Sequence, residues 1–302
     1  MHAHVFASPE SSFRATPAPN GRPRLSPGRW LARIGRVLCL AGMGAIAQAE
    51  ERLPIFDAHM HYNVEARSLL SPKQVVELWR KTGIRGVLAT SRPNDGTLDL
   101  MAQKAPDIQI VPFLRPYRVQ PDRHDWFSSS GVAEYVEKEL QRGIYRGIGE
   151  FHIFGKDADA PYMAKIARLA KERGLWLHAH SDEDAVERIL RHAPGVKLIW
   201  AHTGMSTPLD KVEQMFEQYP NIVGELSYRG DLEQDGTLNP RWKQLFMKYP
   251  NRFVVGTDTW VTPRWGEVEN LAAFYRRMLS ALPRDVAERV AYRNGMEIFG
   301  LQ

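Results

Sequence analysis

Eight short apolar runs, each followed by a helical pattern or a long connection, constrain this chain more than any other feature of it. They cover 54–60, 83–90, 108–114, 146–152, 175–180, 196–202, 222–228 and 252–258. Amphipathic helical patterns occupy 72–82, 131–142, 161–173, 182–193, 207–218 and 240–248, with two more near 266–281 and 284–299. Their ends carry suitable punctuation. Ser71-Pro72 opens the first, serine as cap and proline in the first turn. Gly174 closes the third after Lys171 and Arg173, and Pro220 and Pro250 stop later ones. Strand alternating with helix implies a parallel sheet, and eight such units imply an α/β fold closed as a (β/α)8 TIM-like barrel. An open doubly wound sheet would place a glycine-rich phosphate turn after the first strand. Here that turn holds His59 and His61.

The segment before the barrel reads differently. Residues 1–49 hold six arginines against one acid, so the net charge of +5 belongs to them and the remaining 253 residues sum to zero. A neutral body gives no electrostatic reason to expect nucleic acid as a partner. Residues 8–30 are rich in Ser, Pro, Ala and Arg without apolar periodicity, which predicts disorder. Arg33 and Arg36, the apolar run 37–47 and Ala47-Gln48-Ala49 then make the parts of a secretory signal peptide cleaved near Ala49. The run is shorter than the roughly 20 apolar residues of a membrane span. The expected protein is therefore exported, periplasmic and without a stable membrane span. Its domains are a leader over 1–49 and a single barrel over 50–302. Cys39, the only cysteine, lies in the leader, so any metal in the barrel must be held by histidine and carboxylate.

The barrel segment has eight histidines, and six of them fall at strand ends: His59, His61, His152, His178, His180 and His202. Residues two apart on a strand share a face, so His59 and His61 aim into one space, half of a metal site. Glu150 ends the fourth strand and Asp258 the eighth. In such barrels the strand C-termini converge on the active face, so several independent ligand types meet there.

These residues resemble the amidohydrolase superfamily of metal-dependent barrel enzymes over residues 53–301. The resemblance is carried by Asp57-x-His59-x-His61 on the first strand, Glu150 on the fourth, His178 on the fifth, His202 on the sixth and Asp258 on the eighth, with the closing Asn294-Gly-Met-Glu-Ile-Phe-Gly300. It implies that His59, His61 and Asp258 bind one divalent metal, often zinc. Glu150 would bridge to a second metal, held by the later two histidines, giving one or two ions per chain. It also implies a hydrolase acting on a small-molecule amide, lactone or ester, with Asp258 and His202 as catalytic residues. A non-oxidative decarboxylase or hydratase of the same superfamily is the competing reading, and a non-catalytic binding protein on the same barrel is a third.

Physical chemistry supports the hydrolytic reading. A cation held by His and carboxylate lowers the pKa of its water to about 7, and Asp258 is placed to move the proton. His202 would bind the second metal or hydrogen-bond the oxyanion. His178 and His180 face the same way, and either could be the fifth-strand ligand; position after the apolar run favours His178 and leaves His180 to orient ligands or substrate. His152 stands in the same relation to Glu150 and either ligates or fixes a loop. Asp57 would orient a ligand histidine. Arg115 is placed to clamp a substrate carboxylate or phosphate, or else packs a loop. Tyr228 and Trp260 are further substrate-side candidates, and Arg229 is equally well explained by a surface salt bridge. The acids of Ser181-Asp-Glu-Asp184 read as a helix cap. No Gly-x-Ser-x-Gly elbow is present, which argues against a serine hydrolase.

Overall fold

The computed structural model describes residues 52–301. The leader, its cleavage site and Cys39 lie outside the described residues. Eight parallel strands follow one another around a nearly closed barrel: β1 (Ile55–His61), β2 (Ile84–Thr90), β3 (Gln109–Leu114), β4 (Gly147–His152), β5 (Trp176–His180), β6 (Lys197–Trp200), β7 (Ile222–Glu225) and β8 (Phe253–Val254). Helices alternate with them: α1 (Pro72–Thr82), α2 (Asp95–Met101), α3 (Ser130–Leu140), α4 (Pro161–Glu172), α5 (Glu183–His192), α6 (Leu209–Gln218), α7 (Pro240–Lys248) and α8 (Val268–Leu279). Three shorter turns of helix end the chain: Arg284–Glu288, Arg289–Arg293 and Asn294–Ile298. Among the described residues no helix is long and apolar enough to cross a membrane.

The local signals act as expected. Ser71 caps α1 through a reciprocal box with Gln74, and Gly83 ends it at φ 74°. Asp182 caps α5 by accepting from the Ala185 amide at 2.8 Å. α2 was not legible, because Pro93-Asn94-Asp95-Gly96 reads as a loop. The last three strands stop earlier than their apolar runs. β6 gives way at Ala201 to a tight turn, β7 ends at Glu225, and β8 keeps two paired residues.

Because β8 is so short, closure against β1 falls to single bonds. The Ala58 amide donates to Val255 O at 2.8 Å and the Asp258 amide to His59 O at 2.6 Å. The buried Asp57 carboxylate accepts from the Thr257 amide at 2.9 Å and from its hydroxyl at 2.6 Å. Asp57 thus joins the two edges of the sheet and also accepts from the His59 amide at 3.2 Å.

Two apolar layers hold the fold. One fills the space between strands and helices. The other lies inside the barrel and contains Phe56, Leu88, Val111, Phe113, Trp176, Ile199, Val223 and Val254, capped by Met296 and Phe299 from the chain end. Phe299 stacks on Phe56 at 5.9 Å and meets Phe113 edge-on at 5.7 Å. Gly147 makes room for this plug, since a Cβ there would stand 2.2 Å from the Phe113 ring.

Candidate metal centre

Above the plug the inward positions turn polar. Along β2 and β3, Leu88 and Phe113 are followed two residues on by Thr90 and Arg115; along β5, Trp176 is followed by His178 and His180. Along β7 and its extension, Val223 is followed by Glu225 and Ser227. The period-two alternation of a strand puts each set on one line at increasing height. His202, Tyr228 and Asp258 then sit in turns at strand ends with φ of 55°, 56° and 48°. Such left-handed conformations are uncommon outside glycine and concentrate at functional sites.

The donor atoms converge. His59 Nε2 and His61 Nε2 are 3.1 Å apart. Asp258 Oδ1 lies 3.4 Å from the first and 3.2 Å from the second. Glu150 Oε1 is 3.5 Å from His59 Nε2, and its Oε2 is 3.1 Å from His61 Nε2. Four donors around a cation with bonds of 2.0–2.1 Å stand about 3.3 Å from one another. A second group adjoins the first through Glu150: His202 Nε2 is 3.7 Å from Oε1, and His180 Nδ1 is 2.9 Å from that oxygen and 3.1 Å from His202 Nε2.

Hydrogen bonds on the far side of each ring decide which nitrogen faces inward. His59 Nδ1 donates to Glu225 Oε2 at 2.8 Å. His61 Nδ1 lies 2.5 Å from Thr90 Oγ1, whose hydroxyl donates to Met60 O, and 3.2 Å from the Arg115 Nη1 donor. His202 Nδ1 donates to Ser227 O at 2.9 Å. With the Nδ1 protons of His59 and His202 spent on Glu225 and Ser227, the Nε2 atoms of His59, His61 and His202 crowd together against two carboxylates. Such an arrangement needs a positive charge between them. Two further observations agree: among the described residues, Asp258 Oδ1 and both ring nitrogens of His178 are buried without a hydrogen-bond partner. The residues therefore fit a divalent cation.

The electrostatics point the same way. Burial disfavours a charge on His59, but Asp258, Glu150 and Glu225 outweigh it and hold its pKa well above the ordinary value. Burial likewise pushes the Asp258 carboxyl up, and the charge of His59 with the bond to His61 overcomes it, leaving the pKa at about 2. Glu150 is held well below the ordinary range by His152, His59 and bonds to His180 and His202, again against burial. A histidine proton compensates the carboxylates where a cation would do so.

Several expectations are redistributed. His180, the last residue of β5, stands beside Glu150 and His202, whereas His178 lies two residues deeper. His178 packs edge-on against His59 at 4.4 Å and against Phe113 at 6.4 Å. Height along the strand, not direction, separates them: His180 stands with Glu150 and His152, and His178 with His59 and Glu225, in two groups that could each hold a cation. Arg115 is buried but is no free substrate clamp. Its Nη2 donates to Glu150 Oε2 at 3.0 Å and its Nε to Glu150 O at 3.1 Å, which fixes that carboxylate. His152 accepts at Nδ1 from Tyr117 Oη at 3.1 Å, while that oxygen accepts from the His152 amide at 2.7 Å. In that tautomer Nε2 carries the proton, and the ring stands with Glu150 and His180 in a further group that could hold a cation. Burial pushes its pKa down to about 2, so the ring stays neutral. Arg229 turns away from the site to Asp231, Thr203 O and Thr207 O.

Glu225 was missed altogether. It is fully buried and accepts from His59, from the His202 amide at 3.0 Å and from Ser227 Oγ at 2.9 Å. Its signal was an acid inside an otherwise apolar strand, Ile222-Val-Gly-Glu225. Over the centre opens a cavity of about 670 Å³, walled by Tyr228 and Trp260 and reached by Arg92, Arg115 and Arg123. Trp260 Nε1 donates to Tyr228 Oη at 3.0 Å, and the Arg264 guanidinium lies 3.9 Å over the Tyr228 ring.

A (β/α)8 barrel with a His- and carboxylate-lined mouth defines the class of this protein as the amidohydrolase superfamily. The amidohydrolase family model matches residues 128–301, more than half of the chain, and the chain belongs to that family. No curated protein matches it. Among solved structures it is similar to an amidohydrolase-type protein of Staphylococcus aureus, at 14% identity over 82% of this chain and 100% of that one, with a TM-score of 0.56. It is also similar to an amidohydrolase of Burkholderia multivorans with bound HEPES (14% identity, 82% and 100% covered, TM-score 0.51). A third is amidohydrolase 2 of Bifidobacterium longum subsp. infantis (15% identity, 83% and 100% covered, TM-score 0.51). At these identities the likeness is one of fold.

Proposed function

We propose that this protein is a metal-dependent hydrolase that cleaves an amide, lactone or ester of a small molecule. The observation that carries the reading is the convergence of the Nε2 atoms of His59, His61 and His202 on Glu150 and Asp258, with Nδ1 of His59 and His202 turned outward to Glu225 and Ser227. His59, His61, Asp258 and Glu150 would hold one cation, zinc by the chemistry of the donors. Glu150, His202 and His180 would hold another. When bound, such a cation supplies Lewis acidity and a water with pKa near 7.

The chain's own groups do the rest. Asp258 is ionised; with Oδ1 turned to the cation's donors, Oδ2 on the His202 side would take a proton and return it to the leaving atom. His202 Nε2, 3.8 Å from Asp258 Oδ2, completes the second donor group or, when protonated, donates to the developing oxyanion. Arg115 holds Glu150, and His152, kept neutral by burial, is positioned at the cavity by Tyr117. Export to the periplasm belongs to the same reading, and amino-terminal sequencing of the secreted protein should find Glu50 first.

The test is the metal content of protein purified without chelators, with rates on a panel of esters, lactones and amides. Activity should vanish on chelation, return with zinc and be lost in Asp258→Asn. A metal-free protein whose activity ignores chelation sinks the proposal. Release of carbon dioxide without hydrolysis would reassign it as a decarboxylase.

A further inference from the structure

The barrel has a second cavity, at the end away from the donor cluster. It holds about 630 Å³ and opens where Leu53 and Pro54 lead into β1, against α8 and the helical turns Arg284–Glu288 and Arg289–Arg293. Its charges do not balance. Among the described residues, Arg52, Arg276, Arg284 and Arg293 line it against the single acid Glu288. Both oxygens of that acid are already engaged, Oε1 by Arg284 Nε at 2.8 Å and Oε2 by Arg293 Nη2 at 2.5 Å.

Arg52 and Arg276 are held otherwise. Arg276 donates from Nε to Leu53 O and from Nη2 to Thr82 O, both at 2.8 Å, and Arg52 donates from Nη1 to Lys81 O at 3.1 Å. All three acceptors are neutral carbonyls, and neither guanidinium has an ion pair among the described residues. The two side chains meet over Gly83, where a Cβ would stand 2.8 Å from Arg276 Nη2 and 3.3 Å from Arg52 Cδ. Burial, and then the Arg52 charge, pull the Arg276 pKa down to about 10, so its positive charge is poorly compensated where it stands.

Two neighbouring guanidinia with donors to spare, in a cavity of ligand size, are best matched by a group that carries two negative charges. A carboxylate or a sulfate ester brings one, whereas a phosphate monoester brings about −1.5 to −2 at pH 7. We propose that this cavity binds a small organic phosphate monoester. Its phosphate lies between Arg52 and Arg276, and its organic body rests on Pro54, Leu282 and Tyr292. The site does not depend on the hydrolase reading, since it shares no residue with the cavity over the donor cluster.

Calorimetric titration of chelated protein with phenyl phosphate, phenyl sulfate and inorganic phosphate tests it, at about pH 8 where the phosphate is a dianion. Phenyl sulfate keeps the shape of phenyl phosphate with less charge. Phenyl phosphate should bind about tenfold more tightly than either of the others. Arg52→Gln gives up one exposed bond to a carbonyl and should melt like wild type in phosphate-free buffer, yet lose that preference. Arg276→Lys should keep part of it, as a point charge without the fork. The proposal is overturned if phenyl phosphate fails to bind at millimolar concentration, or if it binds wild type and Arg52→Gln alike, which would seat it elsewhere. Equal affinity for phenyl sulfate would remove the need for a dianion and overturn it. Equal affinity for inorganic phosphate would leave an adventitious ion only, and overturns it as well.

Discussion

The two ends of the barrel interior are built from the same strands and behave as opposites. At the lower end Phe56, Phe113, Trp176 and Phe299 interlock around positions where glycine keeps space. At the upper end, two to four residues further along, the same faces carry Thr90, Arg115, His178, His180 and Glu225. The lower end gains free energy from removing aromatic surface from water. The upper end spends free energy by burying Asp57, Glu150, Glu225 and Asp258, only part of which the hydrogen bonds return. Stability is thus concentrated below and chemistry above, and the plug tolerates what the mouth costs.

Substitutions at the two ends should separate accordingly. Asp258→Asn has the largest expected effect, a loss of about 10²–10⁴-fold in kcat/KM. In chelated protein its melting temperature should fall only slightly, because, against burial, His59 and His61 hold the carboxyl pKa at about 2 and its charge contributes modestly to the fold. A fall as large as that of a plug variant would show that Asp258 carries the fold as well, and the division would fail. Phe299→Ala should do the reverse. Loss of its contacts with Phe56, Phe113 and Trp176 should cost about 3–4 kcal/mol in denaturant unfolding, while metal affinity of the folded fraction stays put.

The same division explains what was readable in the sequence. Strand periodicity and helix punctuation are local, so the eight β/α units and most helix ends were legible. The histidines at 59, 61, 180 and 202 declared themselves because a scarce residue recurred at strand ends. What local pattern left open was height and partnership. His178 and His180 share a face, and no local signal says which of two inward residues reaches the donor cluster. Glu225 acquires its meaning from His59, 166 residues away in sequence, across a closed barrel. Arg115 was correctly placed at the mouth, but its partner Glu150 arrives from the next strand. The fold of the lower end was read from pattern; the upper end needed distances.

Asp57 sits at the boundary and gives the next test. Burial raises its pKa from 3.8 to about 6, against the bonds from Thr257 and His59. The folded protein therefore holds a proton that the unfolded chain releases between those values. The stability this contributes is fully present below about pH 4 and is lost as the pH rises through about 6. In chelated protein, the stability of wild type relative to Asp57→Asn should fall across that window, by up to about 3 kcal/mol at 1.36 kcal/mol per unit of pKa. A flat difference between the two proteins would mean that Asp57 stays ionised and that its three accepted hydrogen bonds fully offset its burial.

The smallest expected effect is the most discriminating. Glu225 does not line the cavity and only accepts hydrogen bonds, from His59 Nδ1, the His202 and Ser227 amides and Ser227 Oγ. If its work is to hold His59 with Nε2 facing inward, Glu225→Gln should weaken zinc binding by about 10–100-fold while leaving the metal-free fold in place. Glutamine can still accept at one oxygen, so ring orientation survives and the lost charge is what the titration reads. Glu225→Asp keeps the charge but pulls the oxygen back by one methylene, so it should lose affinity through geometry instead. Equal zinc affinity in all three proteins would show that the His59 ring is set by its packing on His178 alone. The polar half of the barrel would then be held in place by the same kind of contact as the apolar half beneath it.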